Sequence, residues 1–206
     1  MKEYTVIVAD GSFPVHRIPL EYLEKALRIV CCDGSAEKLL MEGYIPDTIV
    51  GDMDSLTQEL AERYSDRLCR IDDQETNDLT KAVGWCYERG FTDVVILGAT
   101  GKREDHTLGN ISLLAEYAKN LNVIMVTDTG IFRPLTESCT ISSFPGQQIS
   151  IFSIDPQVEI TSSGLKYPLL DKKITNWWVA TLNEALGEEF RLEFQDGRLI
   201  VFIKYP

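Results

Sequence analysis

The chain has 206 residues, of which 44% are hydrophobic and 25% are charged, as in an ordinary globular protein with one large domain or two modest ones. Its formal net charge is −12, and the excess of acids is concentrated in residues 1–128. This charge argues against a nucleic acid or an anionic membrane as partner, because both are bound by basic patches. An anionic substrate would need cations in order to bind.

The cysteine and histidine content excludes further classes of site. The five cysteines lack metal-ligand spacing, and most of them lie in apolar runs, which favours buried, reduced thiols. With only two histidines, His16 and His106, catalysis that needs several histidines is excluded, as is a histidine-rich zinc site. The first residues do not have the pattern of a signal peptide, and no apolar stretch is long enough to cross a bilayer. We therefore expect a cytoplasmic protein.

The first 128 residues alternate short apolar runs with helical patterns. The predicted strands are 4–9, 28–32, 47–50, 67–71, 93–97 and 122–127, and the predicted helices are 19–26, 35–41, 57–64, 78–89 and 106–119. In the fourth helix, Leu79, Val83 and Cys86 fall on one face. Ser55 and Gln58 have the spacing of a capping box for the third helix. Alternation of this kind predicts an α/β fold, with a mostly parallel, Rossmann-like sheet and helices on both faces.

The pattern changes after residue 129, where convincing helical periodicity stops. Strand patterns cover 140–144, 148–154, 158–161, 189–194 and 199–204. Between the last two, Asp196-Gly197 is a hairpin turn signal. We therefore expect two domains, an α/β domain over residues 1–129 and a small all-β sandwich domain over residues 130–206.

Acidic residues recur where the predicted strands hand over to helices. They are Asp10, Asp33, Asp52, Asp54, Asp72, Asp73, Asp78 and Asp105. Any one of them could simply cap a helix or fill a turn. However, the carboxyl ends of parallel strands lie on one edge of the sheet, so these residues should converge there. Asp52 and Asp54 are separated by one residue at a strand end, and two convergent carboxylates suit a hard cation such as Mg²⁺.

A second candidate site is the segment Gly98-Ala99-Thr100-Gly101-Lys102-Arg103, which follows the fifth strand. Its glycines would let backbone N–H groups approach a phosphate, and Lys102 and Arg103 would supply positive charge. The glycine spacing is too short for a P-loop, and the dinucleotide-binding fingerprint is absent. Alone, the segment could equally be a solvated loop. Beside an acidic cluster it would complete a phosphate site.

Together these motifs resemble the thiamine pyrophosphokinase family, in the family's order and over nearly the whole chain. The matching segments are Cys32-Asp33-Gly34-Ser35-Ala36, Gly51-Asp52-Met53-Asp54-Ser55, Thr76-Asn77-Asp78-Leu79, Gly101-Lys102-Arg103-Glu104-Asp105-His106 with Asn110-Ile111, Ser163-Gly164-Leu165-Lys166-Tyr167-Pro168-Leu169, and Asn183-Glu184. The chain departs from the family pattern at several positions. Ser35 replaces a glycine, Lys102 takes a small-residue position, and Tyr167 replaces the common tryptophan but can still stack on an aromatic ring.

The resemblance implies transfer of pyrophosphate from ATP to the hydroxyl of thiamine, giving thiamine diphosphate and AMP. It also implies Mg²⁺ as cofactor, a first domain (residues 1–129) that is nucleotide-binding and catalytic, a second domain (residues 130–206) that is thiamine-binding, and a homodimer with sites between the subunits. The implied metal ligands are Asp52, Asp54 and Asp78, and the implied catalytic residues are these three with Arg103 and Asp105. The implied ATP- and phosphate-binding residues are Asp33, Gly34, Gln74, Thr100, Gly101, Lys102 and Arg103. The implied thiamine-binding residues are Ser163, Lys166, Tyr167 and Asn183.

Alternatives to this function stay open at the level of sequence. An enzyme of the same architecture could pyrophosphorylate another heterocyclic alcohol, such as a pterin, and would differ at Tyr167 and in the loops of the second domain. A nucleotide- or thiamine-binding protein without turnover is a second alternative, against which the presence of all three predicted metal aspartates argues. The general base is not identified, since a carboxylate of the cluster could take the hydroxyl proton, or a metal-bound group could assist.

Overall fold

The computed structural model describes residues 3–206, and their backbone contacts divide the chain into two units. Unit 1 runs to Ile111 and includes Asn120–Asp128, whereas unit 2 consists of Ser112–Lys119 and Thr129–Pro206. Within the described residues, no helix is both long and apolar enough to cross a membrane.

Unit 1 contains a parallel sheet. Its strands are β1 (Thr5–Val8), β2 (Arg28–Cys32), β3 (Thr48–Gly51), β4 (Leu68–Arg70), β5 (Asp93–Leu97) and β6 (Asn122–Val126). They are hydrogen-bonded in the order β6-β5-β1-β2-β3-β4, and each neighbouring pair is parallel. Central strands such as β1 are buried on both faces, as expected for a parallel sheet that helices flank. The predicted α/β class is therefore confirmed.

The helices lie close to their predicted positions. They are α1 (Arg17–Glu24), α2 (Asp33–Met41), α3 (Gln58–Arg63), α4 (Asp78–Glu88) and α5 (Glu104–Tyr117). The capping box predicted for α3 is wrong. The helix is capped by Thr57, whose hydroxyl accepts a hydrogen bond of 3.3 Å from the backbone N–H of Leu60, while the Ser55 hydroxyl donates to Asp54.

The strand order reverses between β1 and β5, and such a switch point is where open α/β sheets bind their ligands. The loops that follow these two strands approach each other closely. The Gly11 N–H donates to the Gly98 carbonyl over 2.5 Å, and the Ser12 N–H donates to the Thr100 carbonyl over 2.8 Å. A Cβ at position 11 would lie 2.9 Å from the Thr100 nitrogen, so the approach requires glycine.

Unit 2 contains antiparallel sheets packed as a sandwich. Its strands are β7 (Gly130–Leu135), β8 (Cys139–Ser142), β9 (Gln148–Ser153), β10 (Glu159–Ser163), β11 (Lys172–Lys173), β12 (Ala180–Glu184), β13 (Glu189–Glu193) and β14 (Leu199–Lys204). One sheet has the order β12-β9-β14-β7 and the other β11-β10-β13-β8. Alternate residues of facing strands, such as Ile151 of β9 and Phe190 of β13, form the buried core. The expected sandwich is therefore confirmed.

Two features of unit 2 differ from the sequence prediction. The sequence patterns do not predict strands β7, β11 and β12. In β7, Pro134 interrupts the strand pattern. In β12, Leu182 has a φ of 58° and lies where the pairing register with β9 shifts. The predicted hairpin at Asp196-Gly197 is wrong. Because β13 and β14 belong to different sheets, this turn carries the chain from one sheet of the sandwich to the other.

Candidate active site

The carboxyl edge of the unit 1 sheet borders a polar cavity of about 470 Å³. Loops after β1, β3 and β5 and the first turns of α4 and α5 contribute to it. Its lining includes six residues that the sequence predicts for the site, namely Asp52, Gln74, Asp78, Thr100, Lys102 and Arg103. The strand ends therefore bring together the acidic and the basic candidate segments.

Three carboxylates form the acidic cluster beside this cavity. Asp33, Asp52 and Asp54 each offer an oxygen atom, and these atoms all lie within 4.8 Å of one another. Hydrogen bonds from the Asp54 backbone N–H and the Gln74 amide hold the pKa of Asp52 below its ordinary value. Hard carboxylate oxygens at this spacing fit the coordination preference of Mg²⁺.

Asp33 supports the loop that carries the other two acids. Its side chain is buried, and its Oδ2 accepts a hydrogen bond of 2.9 Å from the backbone N–H of Met53, which has a φ of 72°. A Cβ at Gly51 would lie 2.6 Å from both Asp33 oxygens, so the carboxylate packs directly against the end of β3. Burial and the charge of Asp78 raise the pKa of Asp33. Asp33 therefore fixes the backbone between Asp52 and Asp54.

Asp78, the third predicted metal ligand, lies at the start of α4 and forms an ion pair. Its Oδ1 lies 2.9 Å from the ammonium of Lys81, and the same ammonium lies 3.9 Å from Oδ2 of Asp52. Among the described residues, the structure thus groups Asp33 with Asp52 and Asp54, while Asp78 joins them through Lys81. Burial alone would lower the pKa of Lys81, but the hydrogen bond to Asp78 and the neighbouring carboxylates outweigh burial and raise this pKa.

The glycine-containing segment after β5 carries its cations at the mouth of the cavity. Lys102 pairs with Asp10 at 2.6 Å, and Arg103 donates two hydrogen bonds, of 3.0 and 2.5 Å, to Asp105. The bonds from Arg103 and from the His106 backbone N–H lower the pKa of Asp105 to about 2. This carboxylate is therefore ionised at neutral pH and orients the guanidinium.

Glycines give this region its close backbone packing. Gly101 has a φ of 99°, and a Cβ there would lie 2.5 Å from the Ser12 hydroxyl oxygen. Gly34, in the first turn of α2, lies against Asp10, whose carboxyl carbon would be 3.0 Å from an added Cβ. Gly34 and Lys102 line a second cavity of about 340 Å³.

The predicted thiamine-binding residues lie together in unit 2. Asn183 is buried and holds the turn after β10, since its Oδ1 accepts from the Tyr167 backbone N–H (3.1 Å) and its Nδ2 donates to the Tyr167 carbonyl (2.7 Å). Lys166 pairs with Glu184 at 3.1 Å, and Ser163 ends β10. The Tyr167 side chain is exposed, so its ring is available to a ligand.

Lys81 is the main feature of the site that the motifs miss. Its position, three residues after Asp78 on α4, places both side chains on one helix face, and this spacing is a usable sequence signal. The support that Asp33 gives to Met53 has no such signal, because it depends on the approach of two separate strand ends.

Comparisons with known proteins match both parts of the chain to one family. A family model described as thiamin pyrophosphokinase, catalytic domain, matches residues 20–126, and one described as thiamin pyrophosphokinase, substrate-binding domain, matches residues 130–202. The chain is 30% identical over 216 residues to thiamine pyrophosphokinase 3 of Oryza sativa subsp. japonica, covering 90% of this chain and 80% of the relative. It is 29% identical over 206 residues to the thiamine pyrophosphokinase of Bacillus subtilis, covering 95% of each.

Solved structures share the fold. The crystal structure of the Bacillus subtilis thiamine pyrophosphokinase has a TM-score of 0.80 to this chain at 24% sequence identity and covers 97% of this chain and 98% of its own. A thiamin pyrophosphokinase family protein from Enterococcus faecalis has a TM-score of 0.82 at 21% identity, and the match covers 99% of this chain and 100% of that protein's chain. The family models and the curated relatives confirm the resemblance carried by the motifs, and the chain belongs to the thiamin pyrophosphokinase family.

Proposed function

We propose that this chain is a thiamine diphosphokinase, which transfers the pyrophosphoryl group of ATP to the hydroxyl of thiamine and releases AMP. The observation that carries this proposal is the ordered match of a catalytic and a substrate-binding family model, the first of which contains the acidic cluster and the cationic loop. We further propose that the α/β domain comprises residues 1–129 and binds ATP, and that residues 130–206 bind thiamine.

The acidic cluster supports Mg²⁺ as the cofactor. Asp52 and Asp54 would hold the ion, beside the carboxylate of Asp33. Asp78, which pairs with Lys81 in this structure, would be a further ligand. When bound, Mg²⁺ would neutralise negative charge on the pyrophosphoryl group. Gln74 would keep the Asp52 carboxylate in place through the hydrogen bond of 3.3 Å from its side-chain amide.

The cations at the cavity mouth would bind and orient the phosphates. Arg103 presents a planar fork of donors that suits phosphate oxygens, and Asp105 keeps that fork in one orientation. Lys102, which lines both cavities, would contribute a second charge, and we assign Thr100, Gly101, Asp33 and Gly34 to ATP binding around it. Pyrophosphoryl transfer depends mainly on such positioning and charge neutralisation, which agrees with a site that has few histidines.

The proton of the thiamine hydroxyl must leave as its oxygen attacks the β-phosphorus. A carboxylate with a pKa near 2, such as Asp105, is a weak base, so we assign Asp105 to orienting Arg103 rather than to taking the proton. Asp33 has a raised pKa, but it is buried and already accepts the Met53 N–H.

The turn after β10 would bind thiamine. The exposed Tyr167 ring would stack on an aromatic ring of the substrate, while Ser163 and Lys166 would supply polar contacts and Asn183 would hold the turn. A homodimer would complete each site with the partner's thiamine-binding turn. The net acidic charge is compatible with cationic thiamine and with a cytoplasmic enzyme that binds neither nucleic acid nor membrane.

Tyr167→Ala should raise the KM for thiamine by about tenfold, the loss expected for one stacking contact of about 1–1.5 kcal/mol, with little change in the KM for ATP. Steady-state kinetics with each substrate varied in turn measures both constants. Tyr167→Trp should keep a KM near the wild-type value, and Tyr87→Ala, which removes an exposed tyrosine of α4, is the matched control. An unchanged KM for thiamine in Tyr167→Ala would remove this turn from the thiamine site.

The same assay with a pterin alcohol in place of thiamine tests the alternative substrate. A pterin alcohol that reacts faster than thiamine would favour that alternative.

A further inference from the structure

Lys81 is a buried charged side chain in the site, and the proposed function assigns it no role. Only 4% of the side chain is exposed, and it lines the polar cavity. Its ammonium lies 2.9 Å from Oδ1 of Asp78 and 3.9 Å from Oδ2 of Asp52. Asp78 begins α4, whereas Asp52 follows β3, so one ammonium connects two separate elements that both contribute to the site.

The burial of this charge is costly, and packing does not require it. A lysine is rarely buried to this degree, because the ammonium loses its hydration. Its helix is otherwise held by apolar neighbours such as Leu79 and Ala82, which are buried in unit 1. A long apolar side chain at position 81 would fill the same space without that cost, so the charge itself points to a role in the cavity.

The Asp52 carboxylate is restrained on both of its oxygens. The Asp54 backbone N–H donates to Oδ1 over 3.2 Å, the Gln74 amide donates to Oδ2 over 3.3 Å, and the Lys81 ammonium lies on the Oδ2 side. Asp52 is also the member of the three-carboxylate cluster that Lys81 reaches. The ammonium therefore restrains the cluster from the α4 side.

We propose that Lys81 is a positioning residue, whose ammonium fixes the carboxylates of Asp52 and Asp78 in the orientation that the divalent cation requires. The proposal rests on the proposed function, because it assigns the cation to this cluster. A carboxylate that is already oriented binds a cation without first losing side-chain freedom, and a well-placed cation in turn orients the phosphate.

Electrostatic repulsion and positioning predict opposite changes in Mg²⁺ affinity when Lys81 is replaced. If Lys81 acted only by its charge, removing a positive group so close to the cluster would strengthen cation binding, since like charges repel. If Lys81 positions the carboxylates, removing it lets Asp52 and Asp78 move apart, and cation binding weakens.

Calorimetric titration of the full chain with Mg²⁺ alone, without nucleotide, distinguishes these outcomes. Lys81→Met, which keeps the length of the side chain, should raise the Kd for Mg²⁺ about tenfold and lower kcat about 100-fold, while Lys81→Arg should recover part of both. Lys25→Met, which removes an exposed lysine paired with Glu21, should leave both values unchanged. Denaturant unfolding of each variant checks that the fold is retained.

Mg²⁺ binding by folded Lys81→Met that is as tight as in the wild type, or tighter, would overturn the proposal. If Lys81→Met does not fold, Lys81→Gln, which keeps a hydrogen-bond donor for Asp78, takes its place. A raised Kd for Mg²⁺ in that variant supports the proposal, and an unchanged or lowered Kd overturns it. Failure of the wild-type chain to bind Mg²⁺ would also overturn it. Because the titration contains no substrate, a wild-type chain that binds Mg²⁺ but forms no thiamine diphosphate would refute the proposed function alone. The change in the Kd for Mg²⁺ in Lys81→Met would still decide the role of Lys81.

Discussion

Replacing either Asp52 or Asp54 by asparagine should lower turnover about 10³-fold, the scale expected when one preorganised electrostatic group is lost from a transition state. Each substitution keeps the shape of the side chain but removes a negative charge from the cluster that would hold Mg²⁺. The remaining amide oxygen is a weaker ligand, so the pyrophosphoryl group would carry more uncompensated charge as it moves. Initial rates measured across a Mg²⁺ titration, at saturating ATP and thiamine, give the result.

The fold should survive both substitutions, because Asp54 is exposed and neither side chain belongs to the apolar core. An asparagine at position 52 can still accept the hydrogen bond from the Asp54 backbone N–H. Asp72→Asn is the matched control, since Asp72 also follows a strand of the sheet but pairs with Arg70 outside the cluster. Wild-type rates in Asp52→Asn or Asp54→Asn at limiting Mg²⁺ would remove that residue from the metal site.

Arg103→Ala should lower kcat by about 100- to 1,000-fold, because it removes a donor aimed at charge that develops during transfer. The guanidinium is exposed and paired only with its neighbour Asp105 among the contacts described for it, so the stability of the fold should change little. Arg103→Lys should recover only part of the rate, since an ammonium keeps the charge but lacks the fork of donors. Steady-state kinetics and thermal unfolding measure the two effects.

Arg17→Ala provides the control for Arg103, because Arg17 is likewise exposed and lies 3.0 Å from an acid, Glu21, outside the cavity. It should leave kcat unchanged. Asp105→Asn should have a milder effect than Arg103→Ala, because the arginine stays in place but loses its fixed orientation. A kcat for Arg103→Ala within twofold of the wild type would show that the cationic loop does not act on the transferred group.

The sequence predicts the fold of unit 1 well because its signals are local. Apolar runs predict buried parallel strands. Asp33 and Asp78 each begin a helix, and Asp52 directly follows a strand. Since parallel strands end on one edge, their sequence positions also predict that the acids come together. Tertiary packing adds only small shifts at the ends of most of these elements.

The failures arise where non-local contacts override a local signal. Pro134 lies within β7 because this strand pairs with β14 along its length, although proline weakens a strand pattern. Asp196-Gly197 has the composition of a hairpin turn, yet the strands on either side pair with other partners. In the site, the bond from Met53 to Asp33 and the approach of Lys81 to Asp52 both cross between elements, and residue spacing reveals neither. Spacing reveals only the pairing of Lys81 with Asp78 inside α4.

The products formed from ATP, Mg²⁺ and thiamine by the purified chain test the proposed function most directly. Chromatography of the reaction mixture should show AMP and thiamine diphosphate appearing in equal amounts, because the β- and γ-phosphates move together. Formation of ADP with thiamine monophosphate, or no thiamine product from a folded chain that binds ATP, would contradict a pyrophosphoryl transfer to thiamine.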